Sequence, residues 1–252
     1  MSSGQGGKRF LQRSEPTRVG AIPNLRPPWN AGCLVGIAAR RAIVTNSRKN
    51  IFITTLLGAA WMATLAFGGR ALFHYETTPG RVGPVASNWP AASVIPRQTD
   101  KLTLVMLAHP HCPCTRASIG ELAQIMAHAF GKANAYVLFV KPQGAGPDWD
   151  DTDLRRSAAA IPGVTVLTDE DGMEAARFGA ETSGHTFVFD GNGTLIFSGG
   201  ITASRGHAGS NAGENAVLAA LNRQPLERAR SPVFGCSLTK RASMAKGELC
   251  SN

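Results

Sequence analysis

Negative charge is almost missing from one end of this 252-residue sequence. Residues 1–50 hold Lys8, Arg9, Arg13, Arg18, Arg26, Arg40, Arg41, Arg48 and Lys49 against Glu15 alone, a net of +8 out of +9 for the whole chain. Only +1 is left for the remainder, and it shows no basic patch with interleaved aromatics. That excludes a nucleic-acid-binding role. No segment repeats at a fixed period, which excludes a repeat array. Cysteine is scarce, with five residues in all. Cys33 follows Asn30-Ala31-Gly32 with no apolar run ahead of it, so lipid attachment there is not expected.

What the sequence does contain begins with a long apolar run. After Ser47-Arg48-Lys49-Asn50 come nineteen uncharged residues, Ile51 to Gly69. They are long enough to cross a hydrocarbon core as a helix. Positive charge precedes the run, which predicts the N-terminus in the cytoplasm and the remaining chain exported. A cleaved signal peptide is the rival, with Ala66-Phe67-Gly68 as its cleavage pattern. The long basic leader and the full-length span favour an anchor. The expected organisation is a basic cytoplasmic tail (1–50), a transmembrane anchor (51–70), a Pro/Gly-rich tether (71–100), a folded domain (101–225) and a cysteine-containing tail (226–252). This places the protein in the inner membrane as a single-pass protein, its C-terminal domain periplasmic. Cys112, Cys114, Cys236 and Cys250 then lie in an oxidising space, where thiols are redox-active or disulfide-bonded more often than idle.

Within the domain, Leu102 to Ala108 reads as a buried strand. From Ala117, the residues Ile119, Leu122, Ile125, Met126, Ala129 and Phe130 recur at helical spacing, with Gly131 at the C′ position. Between strand and helix lies His109-Pro110-His111-Cys112-Pro113-Cys114. A thiol at a helix N-terminus faces unpaired N–H groups and the positive end of the helix dipole, which favours the thiolate. His109 and His111, when protonated, push the same way. The pair is a candidate dithiol redox centre or a pair of soft metal ligands; two inert buried thiols are the bland alternative. Further on, Ala135–Val140 and Val164–Leu167 read as strands, and Asp151–Ala160 and Met173–Phe178 as helices. Thr186–Phe189 and Thr194–Phe197 flank Asp190-Gly191-Asn192-Gly193, a hairpin signal. Asn215–Leu221 is a last helix. The order βαβαβαββα predicts an α/β fold, a central mixed sheet flanked by helices.

That order, with cysteines at the first helix start, resembles the thioredoxin-like superfamily, and in particular the membrane-tethered redoxins of the TlpA and ResA type. Val166 to Gly172 followed by Phe178-Gly179-Ala180 resembles their Asp-x-x-Gly passage. Thr186 to Gly193 resembles their hairpin. The stretch from His109 to Ser118 is similar to a RedB-like subgroup. The resemblance covers residues 101–222 and implies a thiol–disulfide oxidoreductase without a cofactor. Its partners would be exported protein thiols or disulfides, with Cys112 attacking and Cys114 resolving, and His111 and His185 supporting them.

The sequence departs from the family twice. One residue, Pro113, separates the thiols where the family has two. In Gly184-His185-Thr186, a histidine stands where thioredoxins carry a cis-proline. In Sco-type copper proteins of the same fold a histidine at about that point joins two cysteines on copper. The resemblance thus also implies an alternative copper site of Cys112, Cys114 and His185, a soft donor set suited to Cu(I). A tethered binding module without chemistry is the non-enzyme alternative. A thiol peroxidase would need threonine where His109 stands, and nothing suggests the oxyanion hole of a Cys–His hydrolase. His109, His111, Cys112 and Cys114 are crowded too closely for tetrahedral zinc. Of the remaining histidines, His74 falls at the membrane interface, His128 on the first domain helix, and His207 on a glycine-rich loop within possible reach of the thiols. Cys236 reads as either a second-stage redox partner or a structural thiol.

Overall fold

A computed structural model describes residues 35–128 and 131–238, with side chains from residue 47 onward. Cys33, Ala129, Phe130 and Cys250 lie outside the described residues. The chain divides into two units, residues 1–62 and 63–252. Helix α1 (Val35–Thr77) is unbroken. Its stretch Ser47–Thr77 is long and apolar enough to cross a membrane, and none of its apolar window is buried in the fold. Ile51, Phe52, Leu57, Trp61 and Phe67 all stand exposed. The hydroxyls of Thr54 and Thr55 donate to the Ile51 carbonyl at 2.9 and 2.8 Å, so these polar groups are satisfied within the helix, as a lipid surrounding requires.

Among the described residues of the second unit, five strands form one sheet. They are β1 (Leu102–Ala108), β2 (Ala133–Lys141), β3 (Val164–Glu170), β4 (His185–Phe189) and β5 (Leu195–Gly199), in the order β3-β2-β1-β4-β5. The first three run parallel, β4 runs antiparallel to β1, and β5 antiparallel to β4. β1 sits in the middle and is apolar on both faces, because both faces are covered. Leu104, Met106 and Ala108 point to one side, where α2 (Thr115–His128), α3 (Asp153–Ala159) and α5 (Ala212–Leu221) supply Ile119, Leu122, Ile125, Leu154, Ala158 and Val217. Val105 and Leu107 point to the other side, against Phe178 of α4 (Met173–Phe178), with Phe187 and Phe189 of β4 beside them.

Local sequence explains the boundaries. Thr152 caps α3 by accepting from Arg155 N–H. Asn211 caps α5 through Gly213 and Glu214 N–H, which starts that helix at Ala212, three residues before the expected Asn215. Both carboxylate oxygens of Asp169 accept from α4, from Glu174 N–H at 2.8 Å and Ala175 N–H at 2.9 Å. Asp190 Oδ1 accepts from Asn192 and Thr194 N–H and closes the hairpin.

The Pro/Gly-rich stretch corrects one expectation. Much of 78–100 is not a free tether but part of the domain. Gly80 N–H donates to Val233 O, Gly83 N–H to Gly179 O, and Trp89 N–H to Gly193 O. Trp89 packs edge-on against Phe178 and Phe189, and Ile95 is buried. Gly179 (φ +75°) is required here, because a Cβ would lie 2.3 Å from the Pro84 carbonyl oxygen. The physical reason is that α4 alone is too short to cover its face of the sheet, and the extended stretch completes the cover. Residues 229–238 are likewise bound. Ser198 N–H donates to Ala229 O and Gly200 N–H to Pro232 O, and Val233, Phe234 and Leu238 are buried.

Candidate active site

The strand-to-helix junction is built as the sequence suggests. β1 ends at Ala108, and a run of tight backbone bonds leads into α2: Cys112 N–H to His109 O, Thr115 N–H to Cys112 O, Arg116 N–H to Pro113 O and Ala117 N–H to Cys114 O. Cys112 and Cys114 therefore sit on the turn that opens α2. Both are buried; Cys112 is 1% exposed. The turn is fastened to the loop before β4. Ser183 Oγ accepts from His109 N–H at 2.8 Å and shares a 2.7 Å hydrogen bond with Thr115 Oγ1.

The same loop holds a third thiol in place. Residues 235–238 run antiparallel to residues 181–183. Ser183 N–H donates to Cys236 O at 2.8 Å, Leu238 N–H donates to Glu181 O at 2.9 Å, and Thr182 bridges Ser237. Cys236 thereby arrives beside Cys112, with the Sγ atoms 2.7 Å apart and Cys236 N–H 3.4 Å from Cys112 Sγ. Gly235 permits the approach, since a Cβ there would meet Ser183 O at 2.1 Å.

Hydrogen bonds from Cys114 and then Cys236 hold Cys112 far below the ordinary thiol range, outweighing the opposing effect of burial. The Cys236 backbone N–H and the Thr115 hydroxyl act in the same direction. Contact with Cys112 pushes both Cys114 and Cys236 up. Cys112 is thus the thiolate, and its two neighbours are thiols. The cation facing Cys114 is Arg205, whose charge favours the anion. Arg205 stands 5.0 Å over the Tyr75 ring, donates through Nε to Tyr75 O at 3.1 Å, and donates through Nη1 to the carbonyl of Gly235.

His109 and His111 turn to an aromatic neighbour. Trp149 lies edge-on to both, with centroids 6.2 and 4.5 Å away, and its buried indole N–H lacks a hydrogen-bond partner. His111 is exposed, and its backbone N–H donates to His109 Nδ1 at 3.1 Å. The next residue anchors Trp149 to the fold: Asp150 is paired with Arg155 at 2.7 Å and Lys141 at 3.6 Å and accepts from Thr168 Oγ1 at 2.6 Å.

His185 occupies the first position of β4, opposite Leu107, and is fully buried. Its Nε2 bonds Ser198 Oγ at 2.9 Å, its ring stacks on Phe187 at 4.1 Å, and its Nδ1 has no partner. Burial pushes its pKa down to about 4. The structure does not gather Cys112, Cys114 and His185 around one point. Among the described residues, no three His, Cys, Asp or Glu side chains are grouped to hold a metal. The donor set expected for copper is therefore not assembled: Ser198 engages one nitrogen of His185, and the thiols have each other. Nor does His185 join the hydrogen bonds that set the Cys112 charge. His207 is exposed and bonds Arg205 O; Arg205 is the residue of that loop whose charge acts on Cys114.

Spacing along the chain found Cys112 and Cys114 but gave no sign of Ser183, Trp149 or Arg205. The one signal for Cys236 was its place after the apolar residues Val233 and Phe234.

No family model matches this chain, and no curated protein matches it. Among solved structures, a hypothetical protein from Sinorhizobium meliloti 1021 is similar at a TM-score of 0.50 and 17% identity, over 63% of this chain and 97% of that one. An uncharacterized conserved protein from Geobacillus kaustophilus reaches 0.48 and 20%, over 65% and 92%. DsbF of MTB, in mixed oxidized and reduced forms, reaches 0.36 and 16%, over 48% and 81%. Likeness at such identity is one of fold alone, and none of these names the RedB-like subgroup. With its own strand order and its thiols on the turn after β1, the chain has the thioredoxin-like fold.

Proposed function

We propose that this chain is a thiol–disulfide oxidoreductase in which Cys112 is the attacking sulfur. The observation that carries this reading is geometric: Cys112 sits on the turn that opens α2, its Sγ 2.7 Å from Cys236 Sγ and 3.4 Å from the Cys236 N–H, and hydrogen bonds to that sulfur favour its thiolate. Exchange runs through a thiolate, so Cys112 is armed and its neighbours are held in reserve. Cys112 attacks one sulfur of a substrate disulfide, and a second thiol of the cluster then displaces the substrate. Cys114, next along the turn, is in reach for that step. His111 stands at the exposed rim with Trp149, where an incoming polypeptide would pass. The substrates are protein disulfides. In the test, reduction of a disulfide-bonded protein by the full chain with a dithiol donor is expected to be lost in Cys112→Ser. Activity that survives that substitution overturns the reading.

The domain works on the outer side of the cytoplasmic membrane, anchored by α1. The basic residues before Ile51 support that orientation. A reporter that functions only after export, fused behind Asn252, is expected to be active. Activity of a cytoplasm-only reporter at the same point would reverse the topology.

A further inference from the structure

We propose that Cys236 is the resolving cysteine, so that the disulfide formed in turnover joins Cys112 to Cys236 across the fold. This rests on the exchange reading above and names the second sulfur of the reaction. Three independent features converge on it. Cys236 Sγ is 2.7 Å from Cys112 Sγ. Its position is fixed from both ends, by the backbone bonds to residues 181 and 183 and by the buried side chains of Val233, Phe234 and Leu238. The Arg205 guanidinium, which donates to the carbonyl of Gly235, secures the residue just before it. The alternative pair closes its ring over Pro113 alone, and a ring that small holds its sulfurs away from relaxed disulfide geometry. Cys112 and Cys236 are 124 positions apart in the chain, so their bond carries no such local constraint.

Atoms and electrons balance at each step of the exchange. The Cys112 thiolate bonds to one sulfur of the substrate disulfide, the substrate S–S bond breaks, and the departing sulfur takes a proton. Cys236 then bonds to Cys112 Sγ and gives up its proton, and the second substrate sulfur leaves as a thiol. Two electrons pass from the dithiol protein to the substrate. In the return step an external dithiol donor attacks Cys236 Sγ. Cys112 then departs as the stabilised thiolate, and a low-pKa thiol is the faster leaving group. The donor's second thiol frees Cys236 and is itself oxidised. Cys114 remains a thiol throughout and donates to the Cys112 anion.

Trypsin separates the alternatives. It cuts out residues 102–116, which carry both Cys112 and Cys114, and residues 231–240, which carry Cys236. The full-length protein is equilibrated in glutathione buffers of graded potential, quenched, alkylated, digested and weighed. The expected product is 102–116 joined to 231–240, with the alkyl group on Cys114. Cys114→Ser is expected to form the same joined pair. In Cys236→Ser, Cys112 should persist as a mixed disulfide with glutathione, and turnover should fall about tenfold or more. An unjoined 102–116 peptide lacking two hydrogens, beside an alkylated 231–240, would overturn the role of Cys236 and leave the exchange reading intact. No disulfide among the three at any potential would overturn both. Should Cys236→Ser not fold, the pairing in the unaltered chain and in Cys114→Ser still decides.

Discussion

The two faces of the sheet are closed by different means. One lies under three helices, and its contacts are aliphatic: Leu104, Met106, Leu122, Ile125, Leu154 and Val217. The other has one helix of six residues, and extended chain from both ends of the domain completes the cover, with Trp89, Ile95 and Leu238 packed around an aromatic group of Phe178, Phe187 and Phe189. A helix brings its own hydrogen bonds, whereas an extended stretch must borrow them from its neighbours. The second face therefore depends on contacts between parts of the chain far apart in sequence. The thiol cluster stands where the two constructions meet, Cys112 and Cys114 on the helix side and Cys236 on the extended side.

Truncating each face should give the largest effect. Leu122→Ala leaves a cavity under α2 and is expected to cost about 2–5 kcal/mol of global stability, read as a denaturant midpoint. Trp89→Ala, at a half-buried edge-on ring, is expected to act locally. Hydrogen exchange should rise over residues 85–95 before it rises in the helices. Uniform loss of protection in both variants would erase the distinction between the faces.

Acidification should sharpen the same contrast more gently. His185 lies on the aromatic face with a pKa pushed down to about 4 by burial, whereas the unfolded chain takes up that proton near 6.5. Between those values the unfolded state binds more protons, so stability is lost as pH falls. The loss amounts to about 3 kcal/mol once the folded-state pKa is reached. Asp169, pushed up by burial, works in the opposite sense. The informative measurement is therefore the difference between the unaltered chain and His185→Leu across pH 7 to 4. The two curves should converge on acidification, and parallel curves would refute the buried neutral imidazole. Ser198→Ala, which strips Nε2 of its partner, should cost about 1–3 kcal/mol at neutral pH.

The parts of the molecule that were legible in its sequence share a property. The alternation of strands and helices, the Asp190–Gly193 turn and the placement of Cys112 and Cys114 on the α2 turn all rest on residues within a few positions of each other. Periodicity and capping record such relations directly. Cys236 reaches Cys112 from 124 positions away and Ser183 reaches Thr115 from 68, and no local periodicity records either approach. Proline and glycine between residues 77 and 100 indicate a lack of regular structure, which is not a lack of contacts. A segment without helix or strand can still be fastened by single bonds such as Gly83 N–H to Gly179 O. Strand register puts His185 opposite Leu107 and against Phe187, and its partner Ser198 comes from β5, a pairing that its own neighbours in sequence do not record.

An odd number of sulfurs has a consequence for how the centre fails. A disulfide uses two thiols, so whichever pair of Cys112, Cys114 and Cys236 is joined, one reducing group is left in the pocket. With Cys112 joined to Cys236, the thiol left over is Cys114. The pocket therefore never becomes fully oxidised in turnover, and a reducing group stays beside the closed bond, at the risk of scrambling it.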